Sequence, residues 1–225
     1  MGALIAEFVG TFALIFIGAG TIIASPGLTA AGALGTLVGI ALAHGLTIAA
    51  FGSATGHISG GHLNLAVTIS MMATGRIDLM RGLMYIVSQC LGAIVAAFLL
   101  TVAMPADLVT AAKLGTPLLA PNMTVAGGII LEAITTFFLV FVIHGTAVDA
   151  RGPKVGALFI GLTVALDILA IGPLTGAAMN PARSIGPALV GGHLENFWLY
   201  WVGPILGALA AAFLYSSVLE KSDNS

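Results

Sequence analysis

Two stretches decide the reading of this chain: Gly56-His57-Ile58-Ser59-Gly60-Gly61-His62-Leu63-Asn64-Leu65-Ala66-Val67-Thr68 and Gly172-Pro173-Leu174-Thr175-Gly176-Ala177-Ala178-Met179-Asn180-Pro181-Ala182-Arg183-Ser184. They correspond residue for residue, Asn64 with Asn180. Asparagine is a strong helix N-cap, and proline is preorganised for the first helical turn, as in Asn180-Pro181. After each asparagine comes an apolar helical run of roughly ten residues, long enough at ~1.5 Å per residue for about half a membrane. Such a segment is predicted to be re-entrant. Irregular backbone survives at membrane depth only where it is buried in protein or lines a wet cavity. Two half-helices entering from opposite sides and meeting end to end would make one complete span. Each N-terminus adds roughly half a positive charge, and each asparagine NH2 would donate into the pore. Such a centre orients a passing water and repels cations, protons included.

Working outward, six apolar stretches are long enough to cross a bilayer. They run from Ala3 to Ala24, Gly32 to Phe51, Leu79 to Val102, Met123 to Ala147, Val155 to Ile171 and Phe197 to Val218. With both termini in the cytoplasm, Arg76, Arg81, Arg151, Lys154 and Lys221 lie inside and only Lys113 outside, as the positive-inside rule requires. The two halves match in order and in polar residues. Glu7 with Thr11-Phe12 matches Glu132 with Thr136-Phe137; Gly45-Leu46-Thr47 matches Gly161-Leu162-Thr163; Tyr85 to Ala93 matches Tyr200 to Ala208. Each half holds an odd number of spans, so the second must be inserted upside down. The expectation is a single transmembrane channel domain over residues 1–225, with inverted repeats at about 1–104 and 122–218 and a site near the bilayer midplane.

Composition agrees. Of the 225 residues, 59% are hydrophobic and 7% charged, too few charges to cover a soluble surface. The net charge of −2, without a basic run, argues against nucleic acid as a partner. Cys90 is the only cysteine, so there is neither an intrachain disulfide nor a cysteine-based metal cluster. No triad, phosphate loop or metal cluster is visible, so neither an enzyme nor a cofactor is expected. Met1 to Gly20 lacks the charged start of a secretory leader and is read as the first span.

At these residues the chain resembles the aquaporins of the major intrinsic protein family. The match includes Ala6-Glu7-Phe8-Val9-Gly10-Thr11-Phe12, His57-Ile58-Ser59-Gly60 and Asn180-Pro181-Ala182-Arg183-Ser184. The resemblance implies an all-α membrane bundle of six transmembrane helices plus two re-entrant half-helices, assembled as a homotetramer with one pore per subunit. It implies a passive channel for water, with ammonia, hydrogen peroxide, urea or glycerol as further small neutral solutes, and ions excluded. The family's Asn-Pro-Ala signature appears as Asn180-Pro181-Ala182, but the first copy reads Asn64-Leu65-Ala66. The carried-over selectivity filter is His44, Ile168, Ala177 and Arg183, a set more like that of plant tonoplast aquaporins than that of strictly water-selective members. Gly60, Gly61, His62, Gly176 and Ala178 are expected to line or support the pore loops. The chain is further expected to be a prokaryotic-type member, in a prokaryotic cell (plasma) membrane.

Arg183 is a costly arginine inside the membrane profile and so a functional one. Glu7 and Glu132, by family inference, accept hydrogen bonds from the re-entrant backbone. Asp167 faces either the outer mouth or a subunit contact, and His144 and His193 are placed near the membrane surface. Gly45, Gly92, Gly161 and Gly207 suit close helix crossings. Two other functions compete with the channel. One is a proton-coupled secondary transporter, kept open by Asp167 and the two glutamates. The other is a non-conducting structural membrane protein, for which Leu65 is the only support.

Overall fold

The computed structural model describes residues 1–25 and 32–220; Lys221 lies outside them. Six long helices carry the apolar stretches: α1 (Gly2–Ala24), α2 (Gly32–Ser59), α4 (Leu79–Ala103), α6 (Val125–Ile143), α7 (Gly156–Thr175) and α9 (Leu199–Leu214). With α9 counted through the π-turn that continues it to Leu219, all six are long and apolar enough to cross a membrane. A short helix, α5 (Ala106–Ala111), and a 3-10 turn (Lys113–Gly115) lie between α4 and α6, where an outside loop was expected. Asp78 caps α4 through Arg81 N and Thr124 caps α6 through Gly127 N. Large apolar side chains such as Ile5, Leu46, Phe98, Phe138, Leu166 and Leu206 are exposed on the outer faces, as a lipid solvent requires.

Between the long helices sit two short ones, α3 (Leu65–Ala73) and α8 (Pro181–Gly191). Their 9 and 11 residues reach about half of the ~30 Å hydrocarbon core. Two span boundaries differ from the sequence reading. Helix α2 runs past Phe51 to Ser59, and α7 runs past Ile171 to Thr175. Apolar character fades at Phe51, but helical geometry does not. Ser53 and Thr55 bond back to the carbonyls of Ala49 and Phe51, and the helix continues until Gly60 adopts φ +90°. Gly176 ends α7 at φ +85°, a left-handed conformation that glycine adopts without steric cost.

Helix α1 packs on α2 and α4, α6 packs on α7 and α9, and α2 crosses α7. At that crossing, a Cβ on Gly45 would lie 2.5 Å from Gly161 O, and one on Gly161 would lie 2.3 Å from Gly45 O. Gly92 against Phe8 O and Gly207 against Ala133 O are as tight. Small residues let backbones approach where lipid supplies no hydrophobic drive for association.

At the end where Arg76 and Arg151 emerge, the chain after α9 is fastened down. Arg76 pairs with Glu220 and reaches Ser216. Arg151 binds Asp149 at 2.7 Å and Leu219 O at 2.9 Å, while Tyr215 donates to Asp149. The hydrogen bonds from Arg151 hold the Asp149 carboxyl below the usual carboxylate range. His144 opens a π-turn (His144–Val148) after α6. It is fully buried, its ring 5.6 Å from that of Tyr215, because the fastened segment covers it. His193 is half-buried and His57 exposed in the last turn of α2.

Candidate functional site

The site is built from two five-residue loops, 60–64 and 176–180, whose hydrogen bonds match position by position. The amides of Gly60 and Gly176 finish the preceding helices on Gly56 O and Gly172 O. Those of Gly61 and Ala177 bond to the hydroxyls of Ser59 and Thr175, at 3.1 and 3.0 Å. The next two amides in each loop go to a buried carboxylate. Glu7 accepts from His62 N at 2.9 Å and Leu63 N at 2.7 Å; Glu132 accepts from Ala178 N at 2.9 Å and Met179 N at 2.7 Å. Both glutamates have no exposed surface. These bonds hold Leu63, Ala177 and Met179 at φ of 49°, 45° and 50°, each a left-handed conformation that costs a non-glycine residue about 1–2 kcal/mol. The hydroxyls of Tyr85 and Tyr200 donate to Ser59 O and Thr175 O and close the helix ends.

With four amides of each loop turned toward the protein, the carbonyls are left. No donor among the described residues reaches the carbonyls of Gly60, Gly61, Ala177 or Ala178, and all four residues line one cavity of about 310 Å³. Asn64, Asn180, His62, His44, Ile168 and Arg183 line it as well. Asn64 Oδ1 accepts from the amides of Ala66 and Val67, while its Nδ2 donates to Met179 O at 2.9 Å. Asn180 Oδ1 accepts from Ala182 N and Leu65 N, while its Nδ2 donates to Leu63 O at 2.9 Å. An asparagine side chain has two acceptor sites and two donor hydrogens. Each of these makes three bonds, and what remains is one N–H.

A second cavity, of about 360 Å³, opens among Ile22, Leu37, Thr116, Leu118 and Pro173. The residues lining both cavities are His44 and Ile168, so these two side chains stand at the partition. His44 Nδ1 donates to Ile40 O at 2.9 Å, which leaves Nε2 as an acceptor, and the ring lies against Gly18. Arg183 is 3% exposed, and its Nε and Nη1 have no hydrogen-bond partner among the described residues. The partition therefore carries an acceptor at His44 and an apolar wall at Ile168, while the free donors of Arg183 and the small Ala177 line the first cavity.

The remaining expected site residues stand behind the cavity wall. Leu65, Ala66, Pro181 and Ala182 are buried, and Gly176 lines the second cavity. Leu65 is absent from the lining residues, so its bulk does not narrow the cavity. Asp167 is also off the wall, 5% exposed, with Oδ2 unpartnered. Gln89 was missed. It donates to Glu7 Oε2 and to Thr68 Oγ1, and Thr68 in turn is 3.1 Å from His62 Nδ1. The signal was its polarity in an apolar span, opposite Pro204 in the matched half.

Comparison with known proteins supplies the family. Residues 1–215 match the description "Major intrinsic protein". The chain belongs to the major intrinsic protein family. Among its relatives, Aquaporin TIP4-4 of Zea mays is 43% identical over 96% of this chain and 86% of its own. Aquaporin-4 of Mus musculus is 42% identical over 96% of this chain and 67% of its own. The solved aquaglyceroporin of Plasmodium falciparum superposes with a TM-score of 0.82 at 26% identity, covering 96% of this chain and 95% of that one. These relatives are plant, mammalian and parasite proteins, all eukaryotic. They overturn the expectation of a prokaryotic-type member in a prokaryotic cell membrane. The loop and cavity residues answer to the solute and to burial in an apolar solvent, so the sequence held no physical ground for that assignment. Like its family, the chain is an integral membrane channel and not an enzyme.

Proposed function

We infer that the chain is a passive channel through which water and small uncharged solutes cross the membrane, with protons and ions excluded. One observation carries this reading. The cavity wall offers backbone acceptors along its length, while the two asparagines at its middle offer donors and no acceptor. A neutral solute that both donates and accepts can exchange its water bonds for these one at a time. A cation meets two N–H groups, two positive helix ends and the Arg183 guanidinium. Asn64-Leu65-Ala66 and Asn180-Pro181-Ala182 form the central motifs, and His44, Ile168, Ala177 and Arg183 the filter. The pore is assembled from inverted halves at about 1–104 and 122–218, and a homotetramer is the assembly the family resemblance implies. With one polar and one apolar side wall, the filter passes ammonia or hydrogen peroxide alongside water.

Transport by alternating protonation has little support. Glu7 and Glu132 already hold the loop backbone and have no surface on the pathway. Stopped-flow light scattering on proteoliposomes, with water, glycerol, urea and ammonia in parallel, tests the reading. Water flow no faster than in empty liposomes would overturn it. Solute uptake against a gradient, driven by pH, would install the transporter in its place.

A further inference from the structure

The first residues of the two half-helices differ in a way that alters the backbone itself. Helix α8 begins with Pro181, which has no N–H, and α3 begins with Leu65, which has one. The opposite asparagines differ accordingly. Asn64, facing a proline, uses its oxygen on two amides of its own helix, Ala66 and Val67. Asn180, facing a leucine, uses its oxygen on one amide of its own helix, Ala182 at 3.0 Å, and on Leu65 N at 3.3 Å. The first amides of a helix have no intrahelical acceptor, so the Leu65 N–H needs a partner from elsewhere.

We propose that the Leu65 backbone amide is a positioning group: it fastens Asn180 across the junction of the half-helices and takes up the Asn180 acceptor site whose counterpart on Asn64 goes to a second amide of its own helix. This rests on the reading of Asn64 and Asn180 as the central donors. Asn180 is then held at three points, by Ala182 N, Leu65 N and Leu63 O. Flipping its amide would set NH2 against two N–H donors, so the orientation is unique. The remaining N–H is what Asn180 shows to a solute. A proline at position 65 removes this tie and frees that lone pair of the Asn180 oxygen, which can then turn to a second amide of its own helix as Asn64 does. The side chain of Leu65, buried and away from the cavity, has no part in it.

The test is amide exchange in proteoliposomes, read by solid-state NMR with 15N-labelled leucine and asparagine. The Leu65 amide should exchange at least ~100-fold more slowly than an unbonded amide, since opening the junction must precede exchange. Asn180→Ala should abolish that protection and move the amide proton upfield. Asn180→Asp, which keeps an acceptor oxygen, should retain it. Leu65→Ala should leave the Asn180 side-chain signals as single peaks, and Leu65→Pro should split or broaden them. Equal Leu65 exchange in the unmodified protein and in Asn180→Ala would overturn the tie. So would identical Asn180 signals in Leu65→Pro and Leu65→Ala. The reading of the central donors fails separately, if Asn180→Asp leaves cation leak unchanged.

Discussion

Replacing Glu132 by glutamine removes a single charge from behind the second loop, and the structure sets its cost. The carboxylate accepts from Thr175 Oγ1 at 2.7 Å and Ala178 N at 2.9 Å on one oxygen, and from Met179 N at 2.7 Å on the other. Glutamine keeps one oxygen, so the first two bonds can persist. Its NH2 then faces the Met179 N–H, donor against donor. A charge-assisted bond contributes about 1.5–3 kcal/mol, and the stranded buried amide costs about 1–3 kcal/mol more. Together these give a destabilisation of about 2.5–6 kcal/mol. Met179 is also held at φ 50° by that bond, and its carbonyl receives Asn64 Nδ2. The loop should relax and release Asn64, with water permeability falling at least ~10-fold. Glu7→Gln strands the Leu63 N–H in the same way and should cost no more. Gln89 lies against Glu7 with its own Oε1 unpartnered, and by turning its amide it can accept from the new NH2. Glu132 has no such neighbour among its hydrogen-bond partners. The assays are thermal unfolding in detergent and stopped-flow water permeability for both variants. A Glu132→Gln protein as stable and permeable as the unmodified one, or a Glu7→Gln protein damaged more than Glu132→Gln, would refute the reasoning.

Asn64→Asp or Asn180→Asp sets a carboxylate at the positive helix ends and should raise proton or cation leak relative to water flow, measured by pH-dye flux in liposomes; an unchanged leak would dismiss the central barrier. Mercury should inhibit the unmodified protein weakly, because Cys90 is half-buried in α4 and does not line the cavity, and should inhibit Ala177→Cys strongly. Strong inhibition relieved by Cys90→Ser would contradict this placement. The Asp149 carboxyl is lowered by Arg151, so its contribution to holding the segment after α9 is complete above an ordinary carboxylate pKa of about 4 and is lost as pH falls below it. Thermal stability should therefore stay level from about pH 5 to 8, and Asp149→Asn should remove part of any loss on the acid side. The double change His44→Phe with Ile168→His moves the polar imidazole across the partition and adds a second aromatic ring, which narrows it. It should lower the ratio of ammonia to water permeability while keeping water flow within about an order of magnitude; an unchanged ratio in a folded variant would remove both side chains from the filter.

Much of the fold was legible because lipid leaves few options: apolar length marks a span, and a half-length apolar run after an asparagine marks a half-helix. Boundaries were less legible. Residues 52–59 look like loop by hydropathy, yet hydroxyls that bond back along the helix carry α2 to Ser59. The line-up of His44, Ile168 and Arg183 along one cavity could be anticipated only by resemblance, since residues so far apart in sequence meet through helix crossings that no local pattern encodes. The tie from Leu65 to Asn180 was out of reach for a different reason. A sequence reading treats leucine for proline as a change of side chain, and here the side chain is buried off the wall while the restored N–H makes the contact.

The hydrogen-bond pattern also explains why the glutamates and asparagines belong together. By taking two consecutive amides from each loop, Glu7 and Glu132 turn those peptide units outward and leave carbonyls on the cavity side. A wall of carbonyls alone would serve a cation well, since such oxygens replace its hydration shell. Selectivity for neutral solutes needs an interruption, a place where the wall stops accepting and only donates. Asn64 and Asn180 supply it, since their oxygens are already occupied by helix amides. Removing a glutamate should therefore damage conduction by unsettling the wall, whereas changing an asparagine to aspartate loses one bond to a loop carbonyl, keeps the glutamate bonds to the loop and weakens discrimination. Measured together, water flow and cation leak separate the two roles. A glutamate variant that raised leak without slowing water would break this division.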